Sequence, residues 1–260
     1  MEYAVVSSKD YYEDQKIANT ILQASAIDNH KDIRDLRAFN TINTLNRRFH
    51  PKIIAYYSNS SNDYLVEDSQ SNAVYLDSFN SQFDYHGIYL HAQELVKVDD
   101  IFGQTVSGLT SFNYDAPTLF INAFNSNFER IIFTCLHEFA HMYQAEQSEQ
   151  YIEAVALINA EKIQGKAYPK ELQAIENDAN VIASLLLVPD VALKNDIFKL
   201  NFNQLKDKYA TSTTALYNRL LNYFYFSVGL DEYESTQAAT AYQQNDIEII
   251  NHVIQKIRNI

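Results

Sequence analysis

Apolar positions recur along this chain in two periods. Tyr11 to Leu22 and Asp28 to Phe49 carry them at three- and four-residue steps, the second run through Ile33, Leu36, Phe39, Ile42, Leu45 and Phe49. That spacing predicts helices, with Asp28 as N-cap of the second and Pro51 as its stop. Short runs rich in Ile, Tyr and Val then predict strands at Lys52 to Tyr57, Ala73 to Leu76, Gly87 to His91 and Thr118 to Ala123. Ser/Asn/Asp stretches separate them, the longest, SNSSNDYLVEDSQSN, reading as a surface loop. From Asn125 onward nearly everything has helical period, except the polar stretch Tyr233 to Gln244, read as a flexible connector. Asp246 to Ile260 closes the chain with Ile247, Ile250, Val253, Ile254 and Ile257 at helical spacing, a helix expected to dock on its own core rather than on a partner. A small sheet followed by helices makes an α+β fold. The expected domains are an N-terminal helical extension (1–50), a core (51–200) and a C-terminal helical annex (201–260).

Two segments within this frame carry chemistry. Winding Phe128 to Tyr143 as a helix gathers Phe128, Ile131, Ile132, Cys135, Leu136, Phe139, Met142 and Tyr143 into an apolar stripe and puts His137 and His141 on the other side. The intervening letters make HExxH. Histidines at i and i+4 project from one face, so both can bind a single cation through neutral ring nitrogens, with Glu138 beside a bound water whose proton it can take. Two ordinary surface histidines on an exposed helix are the competing reading.

A catalytic zinc ion needs a third protein ligand. Lys170 to Val188 reads as a second long helix ending at Pro189. Leu172, Ile175, Ala179, Ile182, Ala183 and Leu186 form its buried stripe, and Glu176 falls within that stripe while Asp178 points away. A carboxylate on an apolar face is costly unless it finds a cation or donors, which makes Glu176 the candidate ligand and Asp178 the fallback. Asn180, one turn further on, is a candidate for orienting a ligand by hydrogen bond.

The runs FTCLHEFAHMY and IENDANVIASLLLVPD together resemble the phage- and mobile-element-associated ImmA/IrrE metallopeptidases. By that resemblance His137 and His141 match the metal-ligand histidines, Glu138 the catalytic glutamate and Glu176 the third ligand; Ala179-Asn180 and Leu186 to Pro189 match the second helix and its stop. The likeness covers about residues 50 to 225 and is strongest over 117 to 190. Phe139-Ala140, Asp178 and Val188 depart from the family's usual residues without removing a ligand. The resemblance implies a zincin-like core, Zn2+ as cofactor (Mn2+ or another divalent ion being alternatives), and as substrate a repressor or regulator of a phage or mobile element, such as a helix-turn-helix protein.

Composition narrows the partners. A formal charge of -13 and a pI near 4.9 argue against direct nucleic-acid binding, which relies on Lys and Arg neutralising phosphates. Leu205 to Leu220 nevertheless has a helix-turn-helix outline, with a turn near Ala210-Thr211; its slight basic content favours a packed helical pair. No apolar run approaches a membrane span and the start lacks a signal-peptide pattern, so a cytoplasmic protein is expected. The single cysteine, Cys135, sits on the apolar stripe and reads as packing.

The expected function is a zinc-dependent endopeptidase in which Glu138 takes the proton of the attacking water and passes it to the leaving amine. The alternatives are a regulatory or binding module that keeps the fold but acts through partner contacts, and a toxin-antitoxin component. Thr118 to Ala123, just before the HExxH helix, would accept an extended substrate by strand addition if it lay at a sheet edge, but an ordinary internal strand is the favoured reading. His86 and His91 read as surface residues, and His30, His50 and His252 have no site rationale.

Overall fold

The computed structural model describes residues 6–25, 37–58, 73–76, 88–91, 93–112, 116–122, 128–166 and 169–246. They form two units, Ala38–Asn180 and a second made of Met1–Arg37 with Val181–Ile260. Elements are numbered in chain order. Helix α1 (Ser8–Ala24) lies in the second unit, and α2 (Arg37–Phe49) opens the first.

Four strands of the first unit make one mixed sheet: β1 (Lys52–Tyr57), β4 (Glu94–Lys97), β5 (Gly108–Phe112) and β6 (Pro117–Asn122), in the order β4-β1-β6-β5. Strand β1 runs parallel to both its neighbours, with Ile54 opposite Glu94 and Phe120, whereas β5 runs antiparallel to β6. A parallel strand flanked on both sides reads as a continuous apolar run, and Ile53, Ile54, Ala55 and Tyr56 are buried in succession. Strands β2 (Ala73–Leu76) and β3 (Ile88–His91) pair separately and antiparallel. A short helix, α3 (Asp100–Thr105), starts where the Asp99 carboxylate caps the Phe102 N–H.

Three helices complete this unit: α4 (Phe128–Ala145), α5 (Glu149–Ile163) and the first part of α6 (Lys170–Leu187). Helix α4 packs on β5 and β6, with α5 against both α4 and β5. Ile131, Ile132, Cys135, Leu136, Phe139 and Met142 of α4 are buried as the apolar stripe predicts. The ring of Phe139 stacks on Phe49 from α2, 6.3 Å between centroids.

The second unit is helical. Beyond the end of α6 it contains α7 (Asp190–Asp196), α8 (Phe202–Tyr209), α9 (Thr213–Asn222), a π-helical turn (Tyr223–Ser227) and α10 (Glu232–Gln244). Helices α8 and α9 are the pair expected around Ala210-Thr211: Ala210 adopts a left-handed conformation (φ 47°) that ends α8, and the Ser212 side chain caps α9. A buried ion pair ties this unit together. Arg219, 1% exposed, pairs with Asp190 and donates from Nε to the Val188 carbonyl at 2.8 Å; Asp190 also accepts from Ser227 (2.7 Å) and Gln15 (2.5 Å). Burial alone would raise the Asp190 pKa, but the Arg219 guanidinium and these donors hold it below the ordinary carboxylate value.

The α+β class is as the periodicities predict, while several particulars differ. Tyr233 to Gln244 is helix α10 rather than a flexible connector. An Asp231–Glu234 capping box starts it, and the small residues Ser235, Ala238, Ala239 and Ala241 are buried, so close approach replaces the large aliphatics whose lack suggested a linker. Thr118 to Asn122 belongs to β6, between β1 and β5, which agrees with the internal-strand reading and removes the strand-addition alternative there. Strands β4 (ELVK) and β5 (GLTSF) are too short and polar to show a strand period. The helix expected at Asp246 to Ile260, the segment Asp28 to Leu36 and the loop SNSSNDYLVEDSQSN lie outside the described residues.

Replacing Arg219 by Met strands Asp190 in a buried position. We expect a loss of about 3–5 kcal/mol in urea unfolding at neutral pH, the range for breaking a buried pair. The pH profile should change sign as well. In the wild type the Asp190 pKa is lower in the folded than in the unfolded chain, so its contribution is present above the ordinary value of 3.8 and is lost as pH falls. In the variant burial raises that pKa, and acidification should recover stability. An unchanged urea midpoint would remove Arg219 from this role.

Candidate metal centre

Helix α4 carries His137 and His141 one turn apart, with ring centroids 4.6 Å apart and planes nearly perpendicular. Helix α6 brings Glu176 to them. The Nε2 atoms of the two histidines lie 3.0 Å from each other; Glu176 Oε1 is 3.1 Å from His141 Nε2, and Oε2 is 3.6 Å from His137 Nε2. All three side chains are buried and offer ligand atoms within 4.8 Å of one another. The surroundings differ in one respect from a helix with a core face and an open face. Helix α4 is buried on its histidine side too, with His137 7% and His141 1% exposed, because α5 and α6 cover it.

The electrostatics favour a lone-pair donor set. Burial is the largest influence on His141 and lowers its pKa, outweighing the Glu176 carboxylate, so the ring is neutral at neutral pH. Burial would raise the Glu176 pKa, yet the two imidazoles against it and the nearby Lys162 ammonium hold it well below the usual carboxylate range. Lys162, from the last turn of α5, places Nζ 2.9 Å from each Glu176 oxygen. Two unprotonated nitrogens 3.0 Å apart repel unless a proton or a cation lies between them. Two imidazole nitrogens and an ionised carboxylate, with no sulfur in the group, are the donors a zinc-type divalent cation takes, and these residues fit one.

Glu138 sits on α4 beside this group, 2% exposed. Its Oε2 accepts a hydrogen bond from Thr110 Oγ1 at 2.9 Å. Thr110 comes from β5, and its own carbonyl is held by the Asn159 side chain of α5 at 2.6 Å. Such a close approach of β5 to α4 needs Gly108. A Cβ there would stand 2.5 Å from Thr134 Cγ2 and 3.1 Å from the Phe120 carbonyl oxygen.

The candidates from the sequence are thus placed as follows. His137, His141 and Glu176 come together, and Glu138 adjoins them. Asp178, the fallback, is half-buried on α6 and outside the group. Asn180 is half-buried one turn beyond Glu176, and among the described residues no hydrogen bond joins it to the three ligand candidates. Thr110, Gln144, Tyr151 and Lys162 went unnoticed in the sequence. Helix α5 gives a weak signal: its inward face buries Asn159 with Val155 and Ile158, while Leu157 is 59% exposed. Cys135 is buried, and burial raises its thiol pKa, which keeps it protonated and inert.

A His-His-Glu group with a buried glutamate beside it is a donor set that metal-dependent hydrolases use. The family comparison makes this specific: the model of the IrrE N-terminal-like domain, Peptidase_M78, matches residues 83–221, more than half of the chain. The chain belongs to this ImmA/IrrE peptidase family, whose membership implies metallopeptidase chemistry. No curated protein and no solved structure matches it.

Gly108→Ala should cost about 1–3 kcal/mol through overpacking between β5 and α4. Adding Thr134→Ala removes the closest clashing atom and should restore part of the loss, read as a non-additive thermal-denaturation cycle. Strict additivity would show that the contact at Thr134 is not the constraint.

Proposed function

We propose that this chain is a zinc-dependent endopeptidase with a zincin-like core, acting in the cytoplasm on a repressor or other regulatory protein of a phage or mobile element. The observation that carries the reading is the buried convergence of His137, His141 and Glu176 beside Glu138, inside the segment that matches a peptidase family. Bound there, a divalent cation supplies a lowered water pKa and a polarised carbonyl. His137 and His141 would hold it through Nε2 and Glu176 through its carboxylate, with Mn2+ as an alternative to Zn2+. Glu138 is the proton carrier. The Thr110 hydroxyl fixes its Oε2 and leaves Oε1 to take the proton of the attacking water and deliver it to the leaving amine.

The helical pair α8–α9 supports a protein rather than a nucleic-acid target. Arg219 is spent on Asp190, and Lys208 lies 2.5 Å from Asp196, which takes two of its cations away from phosphate. With a charge of -13, the chain suits a basic partner such as a DNA-binding regulator.

The test is to co-express the full chain with helix-turn-helix regulators drawn from its own genome and to follow their cleavage together with metal content. Glu138→Gln should retain zinc and slow cleavage by about 10²- to 10⁴-fold, the usual contribution of a positioned general base. Glu176→Gln should lose the metal itself. Cleavage that persists in Glu138→Gln would end the peptidase mechanism, and an undiminished biological effect without cleavage would favour a binding module.

A further inference from the structure

His141 has a second nitrogen, and what it meets is informative. Nδ1 lies 2.7 Å from the Tyr151 hydroxyl, and that hydroxyl lies 2.6 Å from Gln144 Oε1. Gln144 follows His141 by three residues on α4, while Tyr151 stands in the first turn of α5. Tyr151 has a single hydroxyl proton. The amide oxygen of Gln144 is an acceptor only and takes it. The phenol can then only accept on its other side, so the hydrogen of the His141–Tyr151 bond belongs to Nδ1. A neutral imidazole has one N–H, and with that hydrogen on Nδ1 the lone pair is on Nε2, the atom that faces His137 and Glu176.

We infer that Tyr151, itself set by Gln144, is a positioning residue that holds His141 as the Nδ1–H tautomer and so keeps the Nε2 lone pair directed at the His137–Glu176 group. The inference deepens the metal-site reading and rests on it for its consequence, not for its geometry. The polarity of the relay is decisive. A donor at position 144 would turn the phenol around, send its proton to Nδ1 and put the hydrogen on Nε2, where it would block a cation. His137 makes the contrast: its Nδ1 is buried and, among the described residues, has no hydrogen-bond partner, so none of them selects a tautomer from behind that ring. Among the described residues, His141 is the imidazole fixed from behind.

The experiment uses the full chain as wild type, Tyr151→Phe, Gln144→Met and Gln144→Glu. Zinc affinity is measured by competition with a chromophoric chelator, and the His141 tautomer is read from the imidazole 15N shifts of metal-free protein, assigned with a His141→Gln variant. Thermal melting of each metal-free variant shows whether it folds. Tyr151→Phe should weaken zinc binding by about 10- to 100-fold, the usual effect of losing a ligand's hydrogen-bond partner, and shift His141 away from Nδ1–H. Gln144→Met should move both readouts the same way. Gln144→Glu, still an acceptor for the phenol proton, should preserve both, a rescue that a merely structural role for position 144 does not predict. Wild-type His141 found as Nε2–H, or zinc affinity of folded Tyr151→Phe within about twofold of wild type, overturns the inference. These readouts need no cleavage. A failed peptidase assay with the tautomer and affinity changes intact therefore sinks the proposed function alone, and a wild type that binds no zinc sinks the metal reading while the 15N shifts still decide the tautomer.

Discussion

Burying the Glu176 carboxylate is the constraint on which the arrangement of the first unit depends. Helix α6 is otherwise apolar on its inward face, and an ionised oxygen there is tolerable only when charge or donors surround it. Two imidazoles and the Lys162 ammonium do so within 3.6 Å. Meeting that demand requires α4, α5 and α6 to be brought together at one point, since each contributes a group that the others lack. The sheet then follows as the floor: β5 supplies Thr110 to Glu138, and Gly108 permits the strand to come close enough to do it.

The groups around the site fall into those that define the donors and those that hold them. His137, His141 and Glu176 are the candidate donors, and Glu138 is the proposed base beside them. Thr110 and Asn159 give Glu138 a preferred orientation, Tyr151 and Gln144 do the same for His141, and Lys162 holds Glu176. The holding groups come from β5, α5 and the end of α4, so the geometry of the centre is distributed over the unit rather than contained in the HExxH turn.

This division explains what could be read from the sequence. The ligand residues were legible because a helix imposes a fixed spacing: four positions separate His137 from His141, and a carboxylate in the apolar stripe of α6 stands out chemically. The holding residues were not, because Tyr151 meets His141 across a turn between two helices, and no periodicity encodes that crossing. Helix α5 blurs the usual pattern, burying Asn159 beside Val155 and Ile158 while leaving Leu157 exposed. Strands β4 and β5 were missed for a related reason, being four and five residues long with Glu, Lys, Gly, Thr and Ser among them. Helix α10 was misread because alanine and serine pack a close helix crossing without the large side chains that usually mark one.

Cys135 stands two residues before His137, fully enclosed and with its thiol kept protonated. The chain's one thiol is therefore withheld from its donor group. Thiophilic ions such as cadmium or cuprous copper gain nothing here over harder competitors, and an oxidant that would convert an accessible cysteine has no purchase at this centre.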